Sequence, residues 1–547
     1  MYSRHLIRIA RTLRGTHYHV DSSHLYKLVR VCAADPLRIV RIAGENIAAR
    51  RILVLGRAKS LVRMPTVHRN YIDGEWVESR SGDSFEVLNP ANTDEVVGEF
   101  QSSTAEDAEQ AVEAAVAAED EWSSTPGPER GAILQETAQI LEDQRDELAE
   151  TLTREEGKTL GEAGGEVQRA IDIFYYYAQK ASDLGGTVKS PSGTDKELYT
   201  KHEPLGTVAL ITPWNYPIAI PAWKLAPALA AGNTAVLKPA SAAPTVAWKL
   251  LEALDEAGLP DGVANYVTGS GSEAGGVLTD HEGVDAVSFT GSTAVGTHVA
   301  QAAADDLKRV QCEMGGKNPT VVMPSADVGE AVDIVGAGAF GVTGQACTAC
   351  SRAIVHEDVY DEFVAGIVDY AESIEIGSGL EDVDMGPHVT QSELDGTLEY
   401  VDIAAEEDGA TLETGGERLT GGEYDDGYYV EPAVFSDVTN DMRIAQEEVF
   451  GPVLAVLKVS SFEEGLEVAN DVDYGLSASI ITQDLSEANQ FAENVESGVA
   501  KVNEKTTGLE LHVPFGGYKQ SSTDTYREQG DAGLAFFTST KTVYMNY

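Results

Sequence analysis

Cysteine is scarce in this chain: four in 547 residues, Cys32, Cys312, Cys347 and Cys350. Three in the main body cannot build a paired disulfide framework, so a reducing, cytoplasmic setting is expected. Cys347 and Cys350 form a C-x-x-C, but no second C-x-x-C or clustered histidine completes a zinc site, and no metal is expected. No apolar run approaches the ~20 residues that span a bilayer. Positive charge is scarce beyond residue 63. Residues 1–63 hold 13 Lys and Arg against three acids, a net of +10. Residues 64–547 hold 26 basic and 86 acidic residues, a net of −60. That charge repels phosphates and argues against nucleic-acid and anionic-membrane partners. It is the composition expected of a protein kept soluble at multimolar salt, where the Debye length shrinks to ~3 Å or less.

Two different compositions therefore meet at Met64. An arginine-rich, acid-poor start reads either as an organelle transit peptide or as upstream sequence preceding a true initiator at Met64. The second reading suits an acidic, salt-adapted body, and residues 1–63 are expected to be a basic extension that is disordered or poorly packed, or a mis-assigned start. Beyond them, residues 104–182 carry apolar residues at three- and four-residue spacing, as helices do. From "TVALIT" (207–212) onward, short apolar strands alternate with helices through "TAVLKP", "TVAWKLLEALDEAG", "ANYVTG" and "GVDAVSFTGS". A second strand–helix series follows Gly315. The pattern predicts an α/β protein with doubly wound parallel sheets. The tail "LAFFTSTKTVYMNY" reads as a terminal strand, of the kind that often pairs with another subunit.

Several residues could carry chemistry. Cys347 sits in "GQACTACSR" among small neighbours that leave a thiol accessible for attack; the plainer reading is a packed core cysteine. Glu313, between apolar residues and a double glycine in "CEMGGKNP", is oddly placed for a surface carboxylate and suits a partly buried general base. The plainer reading is a solvated turn. Asn215 in "TPWNYP" is stiffened by flanking prolines and suits an oxyanion donor, or simply fixes its turn. "FTGSTAVG" (289–296) follows a strand and opens a helix, so its amides could meet a phosphate. It is not the G-x-G-x-x-G fingerprint.

The order of these motifs says more than any one of them. Thr-Pro-Trp-Asn, Lys-Pro-Ala, F-T-G-S-x-x-x-G, E-x-G-G-K, G-Q-x-C, E-x-F-G-P and P-F-G-G-x-K follow one another from about residue 68 to the end. This series resembles the aldehyde dehydrogenase superfamily. The resemblance implies a cofactor-binding domain (64–181 and 205–316), an α/β catalytic domain (317–519) and a small β oligomerisation element (182–204 and 520–547). It implies Cys347 as nucleophile, Asn215 and the Cys347 N–H as oxyanion donors, and Glu313 as the water-activating base. Lys224 and Glu528 match the family's proton exit path. On the cofactor side it implies Thr212, Pro213 and Trp214, then Lys238 at the adenosine ribose. Gly271, Gly275, Gly291, Ser292 and Gly296 fall beside the pyrophosphate, and Glu448 and Phe450 at the nicotinamide ribose. Many NAD-preferring relatives carry Glu where this chain has Ser241. Loss of that carboxylate removes repulsion of a 2′-phosphate, so NADP is expected, with NAD possible.

A narrower resemblance concerns "KVNEKTTGLELHVPFGGYKQSS" and "TYREQG", which look like the α-ketoglutaric semialdehyde (2,5-dioxopentanoate) dehydrogenases of pentose and sugar-acid degradation. Arg169 falls where the family lines its substrate tunnel, and Lys505 lies in the loop expected to face it. Cations there suit a substrate with a distal carboxylate, although Arg and Lys more often face solvent. The alternatives are succinate semialdehyde or a simpler aliphatic aldehyde. A CoA-acylating relative is disfavoured by the presence of Glu313, and a non-catalytic binding or structural member by the intact Cys347, Glu313 and Asn215. A redox C-x-x-C protein is the remaining alternative. A homodimer or homotetramer is expected.

Overall fold

The computed structural model describes residues 67–547. The expectation for residues 1–63 lies outside them. Five strands between Val67 and Gln101 open the described chain, and four helices follow them: Ala105–Ser124, Gly127–Asp143, Arg145–Glu156 and Leu160–Lys180. Two of them begin with a reciprocal capping box, Thr104 with Asp107 and Thr159 with Glu162. Each box satisfies backbone donors that the first turn leaves free.

The alternating strands that follow build a seven-stranded sheet. Its order is Arg309–Glu313, Ala286–Thr290, Thr207–Ile211, Thr234–Lys238, Ala264–Tyr266, Asn70–Ile72 and Glu75–Val77. The first five run parallel. The chain winds one way from Thr207–Ile211 and then crosses to its other side with Ala286–Thr290. Residues just beyond those two strands therefore border a switch point, where open α/β sheets hold ligands. The expected doubly wound parallel sheet is extended at its edge by Asn70–Ile72 and Glu75–Val77, which pair antiparallel. These strands come from the chain before the helices, so no crossover helix forces them parallel.

A second seven-stranded sheet runs Thr411–Thr414, Ala433–Val438, Val453–Val459, Cys350–His356, Asn318–Val322, Ser477–Ile481 and Val499–Val502. Only Thr411–Thr414 is antiparallel to its neighbour. The carboxyl end of Arg309–Glu313 and the amino end of Asn318–Val322 are separated by residues 314–317 alone. The two sheets thus meet at Glu313 and Asn318.

The C-terminal tail differs from its sequence reading. Leu534 and Phe536 belong to a short helix, Gly530–Phe536, and bury in the core formed by the first helices and sheet. The strand proper is Thr538–Asn546. It pairs along its length with Lys196–Pro204 of the same chain, and Val188–Lys189 completes a three-stranded sheet. Among the described residues no helix is long and apolar enough to cross a membrane. None of their His, Cys, Asp and Glu side chains cluster in a metal-binding group of three.

Candidate active site

Cys347 lies in a bend that enters the Cys350–His356 strand. Val342, Thr343 and Gly344 all take positive φ, at 52°, 56° and 66°. Two consecutive β-branched residues in that region are strained, and surrounding bonds hold them there. Glu162 accepts the Val342 N–H at 2.7 Å, and Thr343 donates to the Gly386 carbonyl at 3.0 Å. Gly344 packs against Gly451, where an added Cβ would stand 2.2 Å from the carbonyl oxygen. Beyond the bend, Asn318 donates to the carbonyls of Cys347 and Ala349, both at 2.8 Å. The thiol is half-buried. Burial, with the negative charges of Glu448, Glu313 and Glu528, pushes it above the usual thiol range. Cys350 is a buried free thiol that donates to Thr320 Oγ1 at 3.2 Å.

Asn215 is buried in the loop after Thr207–Ile211. Its Nδ2 donates to the Gln345 carbonyl at 3.0 Å, two residues from Cys347. An amide NH2 has two hydrogens, so one remains for another acceptor. Glu313 ends its strand fully inside the protein, accepting from Gly517 N–H and Ser522 Oγ, each at 2.9 Å. Burial and the nearby Glu528 push its carboxyl well above the carboxylate range. Lys224 and Glu528 form a buried ion pair, and Lys224 also donates to Ser288 Oγ at 2.7 Å. Glu528 is fixed by mutual backbone bonds with Phe515 at 2.7 and 2.8 Å.

On the switch-point side, Thr212 donates its N–H to the Lys238 carbonyl at 3.2 Å, and its buried hydroxyl has no partner. Pro213 follows it, and Trp214 packs edge-on against Phe450, with ring centroids 5.4 Å apart. Phe450 takes a φ of 61°. Glu448 accepts the Gly316 N–H at 2.8 Å, and burial raises its carboxyl to about 7. Lys238 is buried, its ammonium lowered to about 8 by burial, with one contact to the Pro239 carbonyl at 3.3 Å. Ser241 donates to the Gly269 carbonyl at 3.2 Å. Gly275 packs beside the Lys238 side chain, at the end of a single wide turn, Gly271–Gly275. Gly291 and Ser292 lead into the helix Thr293–Asp305, whose first turn receives no side-chain cap. Gly296 lies so close to Met314 that a Cβ would meet its sulfur at 2.5 Å. An uncapped helix start, an orphaned hydroxyl and a lone buried ammonium along one switch point fit a phosphate-bearing dinucleotide.

The profile of the aldehyde dehydrogenase family matches residues 76–543. The chain belongs to the aldehyde dehydrogenase family. It is therefore an oxidoreductase acting on aldehydes, of a family that binds NAD(P). The chain is 64% identical over 479 residues, 88% of its length and 99% of the relative's, to an alpha-ketoglutarate semialdehyde dehydrogenase of Haloferax volcanii. Its fold matches a betaine aldehyde dehydrogenase of Staphylococcus aureus in complex with NAD+. That match has a TM-score of 0.86 at 36% identity, covering 89% of this chain and 96% of that one. It also matches a 3,6-anhydro-L-galactose dehydrogenase in complex with NAP, with a TM-score of 0.85 at 38% identity, covering 88% and 100%.

In this aldehyde dehydrogenase, not every residue singled out from sequence is gathered together. Arg169 is half-buried, donating to the Leu509 carbonyl at 2.5 Å and to Gln529 Oε1 at 2.7 Å. It touches the 503–515 loop, but no hydrogen bond or ion pair joins it to the exposed Lys505. Sequence reading passed over Asn318, Glu162, Lys158 and Glu166. Asn318 stands inside the E-x-G-G-K-N stretch, so its position was a usable signal. Glu162 stands in a Thr-x-x-Glu capping box, which marks a helix start but not its bond to Val342. Lys158 and Glu166 act on backbone groups far along the chain and left no local pattern.

Proposed function

We propose that this aldehyde dehydrogenase oxidises 2,5-dioxopentanoate to 2-oxoglutarate through a thioester on Cys347. The Cys347 thiolate adds to the aldehyde carbon. The new oxyanion is held by the free Asn215 amide hydrogen and the Cys347 N–H, donors that strengthen as charge develops. Thr212, Pro213, Trp214, Lys238, Ser241, Gly271, Gly275, Gly291, Ser292, Gly296, Glu448 and Phe450 would hold the dinucleotide. When bound, it supplies the hydride acceptor. Glu313 then takes a proton from water, the resulting hydroxide attacks the thioester carbonyl, and the Cys347 thiolate leaves. Lys224 and Glu528 carry the proton away.

The 64% identity with the Haloferax volcanii relative over 99% of its length carries the substrate assignment. Arg169 supports it: a cation beside the 503–515 loop suits a distal carboxylate, which would share or displace the Leu509 and Gln529 contacts. For the cofactor, the neighbours bound to NAD+ and to NAP support a dinucleotide of either form, and the preference rests on Ser241 and Lys238. Ser241 places no carboxylate against a 2′-phosphate, and Lys238 can pair with one, so NADP is preferred with NAD accepted. We assign the acidic body to high internal salt, in the cytoplasm. The sheet carrying exposed Val188, Tyr544 and Met545 is assigned to contact with further copies in a homodimer or homotetramer.

A kinetic panel in 2 M KCl tests this reading. kcat/KM should be highest for 2,5-dioxopentanoate, above succinate semialdehyde and propanal, and higher with NADP than NAD. Arg169→Ala should raise KM for the carboxylated substrates by about tenfold, a lost charge-assisted contact, and leave propanal unchanged. Equal effects on all three aldehydes would remove Arg169 from the substrate site. A preference for propanal or NAD would remove the corresponding assignment.

A further inference from the structure

The helix Arg145–Glu156 stops at Gly157, whose φ of 101° turns the chain inward. Lys158 follows, fully buried. Its ammonium donates to Glu166 Oε2 at 2.6 Å and to the main-chain carbonyl of Asn215 at 2.7 Å. The Tyr216 ring covers it, 4.4 Å from Nζ to the centroid, and Glu156 lies 3.7 Å away. The other oxygen of Glu166 accepts the N–H groups of Ile218 and Ala219 at 3.0 and 3.1 Å. Lys158 and Glu166 therefore grip the loop at Asn215 itself and at its carboxyl end. The helix that starts at Ala219 carries Lys224.

The same helical turn reaches the other half of the site. Glu162, one turn before Glu166 on Leu160–Lys180, accepts the Val342 N–H of the strained bend before Cys347. Asn215 and Gln345, joined by their own hydrogen bond, are thus both supported from one short stretch, 158–166. An apolar side chain of similar length could fill the space of Lys158. Only a donor can tether a carbonyl, and a buried ion pair is weak evidence for stability alone.

We infer that Lys158 is a positioning residue whose buried ammonium, oriented by Glu166, holds the Asn215 backbone and so fixes the amide that meets the oxyanion. This rests on the reading of Asn215 as an oxyanion donor.

A double-mutant cycle on the full chain tests it, with Lys158→Met, Asn215→Ala and the pair. Asn215→Ala should lower kcat by about 100-fold, as removal of an oxyanion donor does. Lys158→Met should lower kcat by at least about tenfold, with aldehyde and cofactor KM held within about threefold, because the loss falls on the transition state. In the Asn215→Ala background, Lys158→Met should remove less than about twofold more. Losses that multiply, or a rise in KM matching the fall in kcat, would overturn the inference alone. Wild-type activity in Asn215→Ala would overturn the oxyanion reading and this inference with it. If Lys158→Met fails to fold, Glu166→Gln decides by the same criteria, since it keeps side-chain shape and an acceptor oxygen while removing the charge that orients Lys158.

Discussion

Cys347 starts in the wrong protonation state for attack, because burial and three carboxylates favour its thiol. Glu313 too is shifted toward its protonated form, by burial and the nearby Glu528. In the roles proposed for them, as nucleophile and base, both must lose their protons to work, and both hold them more tightly than free side chains do. Raised values in both groups have the same sign of consequence. With NADP saturating, kcat/KM for the aldehyde should rise as pH climbs from 6 to 8, below and up to the pH at which the Lys238 ammonium begins to lose its proton; a flat or falling profile over that range would contradict the assigned roles. Cys347, Glu313 and Asn215 were legible in sequence because each sits in a short stretch that matches the family's series. Lys158 and Glu166 were not. Lys158 meets Asn215 57 positions along the chain, and Glu166 meets Ile218 52 positions along. Their partners are main-chain groups, which no residue pattern encodes.

Elements were readable where period and punctuation agreed. The strands Thr207–Ile211, Thr234–Lys238 and Ala286–Thr290 fall on the apolar runs read as strands. The antiparallel edge was not readable, since two three-residue strands ahead of the helices carry no period. The Gly530–Phe536 helix was hidden among β-prone aromatics, whose burial in the helical core overrides propensity. The bend at Val342–Gly344 also runs against propensity, and it sets where Cys347 enters its strand. Gly344 has a φ of 66° and no room for a Cβ beside Gly451. Gly344→Ala should destabilise the fold by about 1–3 kcal/mol, the range for a strained backbone position, and lower kcat more than KM. Thermal unfolding and steady-state kinetics check this; an unchanged melting temperature and kcat would show that the bend is slack.

At the scale of the molecule, the carboxyl edge of one sheet is set against the amino edge of the next, joined by residues 314–317. Glu313 comes from the first sheet and Asn318 from the second, while Cys347 lies in the bend that enters the second sheet's Cys350–His356 strand. Asn215 reaches across from the switch point to Gln345. The motif order in sequence foretold this company but not the seam, which depends on how two sheets pack. The acidic body is a separate property: −60 over residues 64–547 is tolerable where salt screens it, and the site chemistry stands apart from it. The central claim is a thioester on Cys347 that Glu313 hydrolyses. Glu313→Gln, mixed rapidly with 2,5-dioxopentanoate and NADP, should release one reduced cofactor per active site in a burst. Turnover should then slow by about 100-fold, within the range for a lost general base. Mass spectrometry of the quenched protein should find the acyl group on Cys347. Steady turnover at the wild-type rate, or an acyl group on Cys350 or Cys312, would contradict the account.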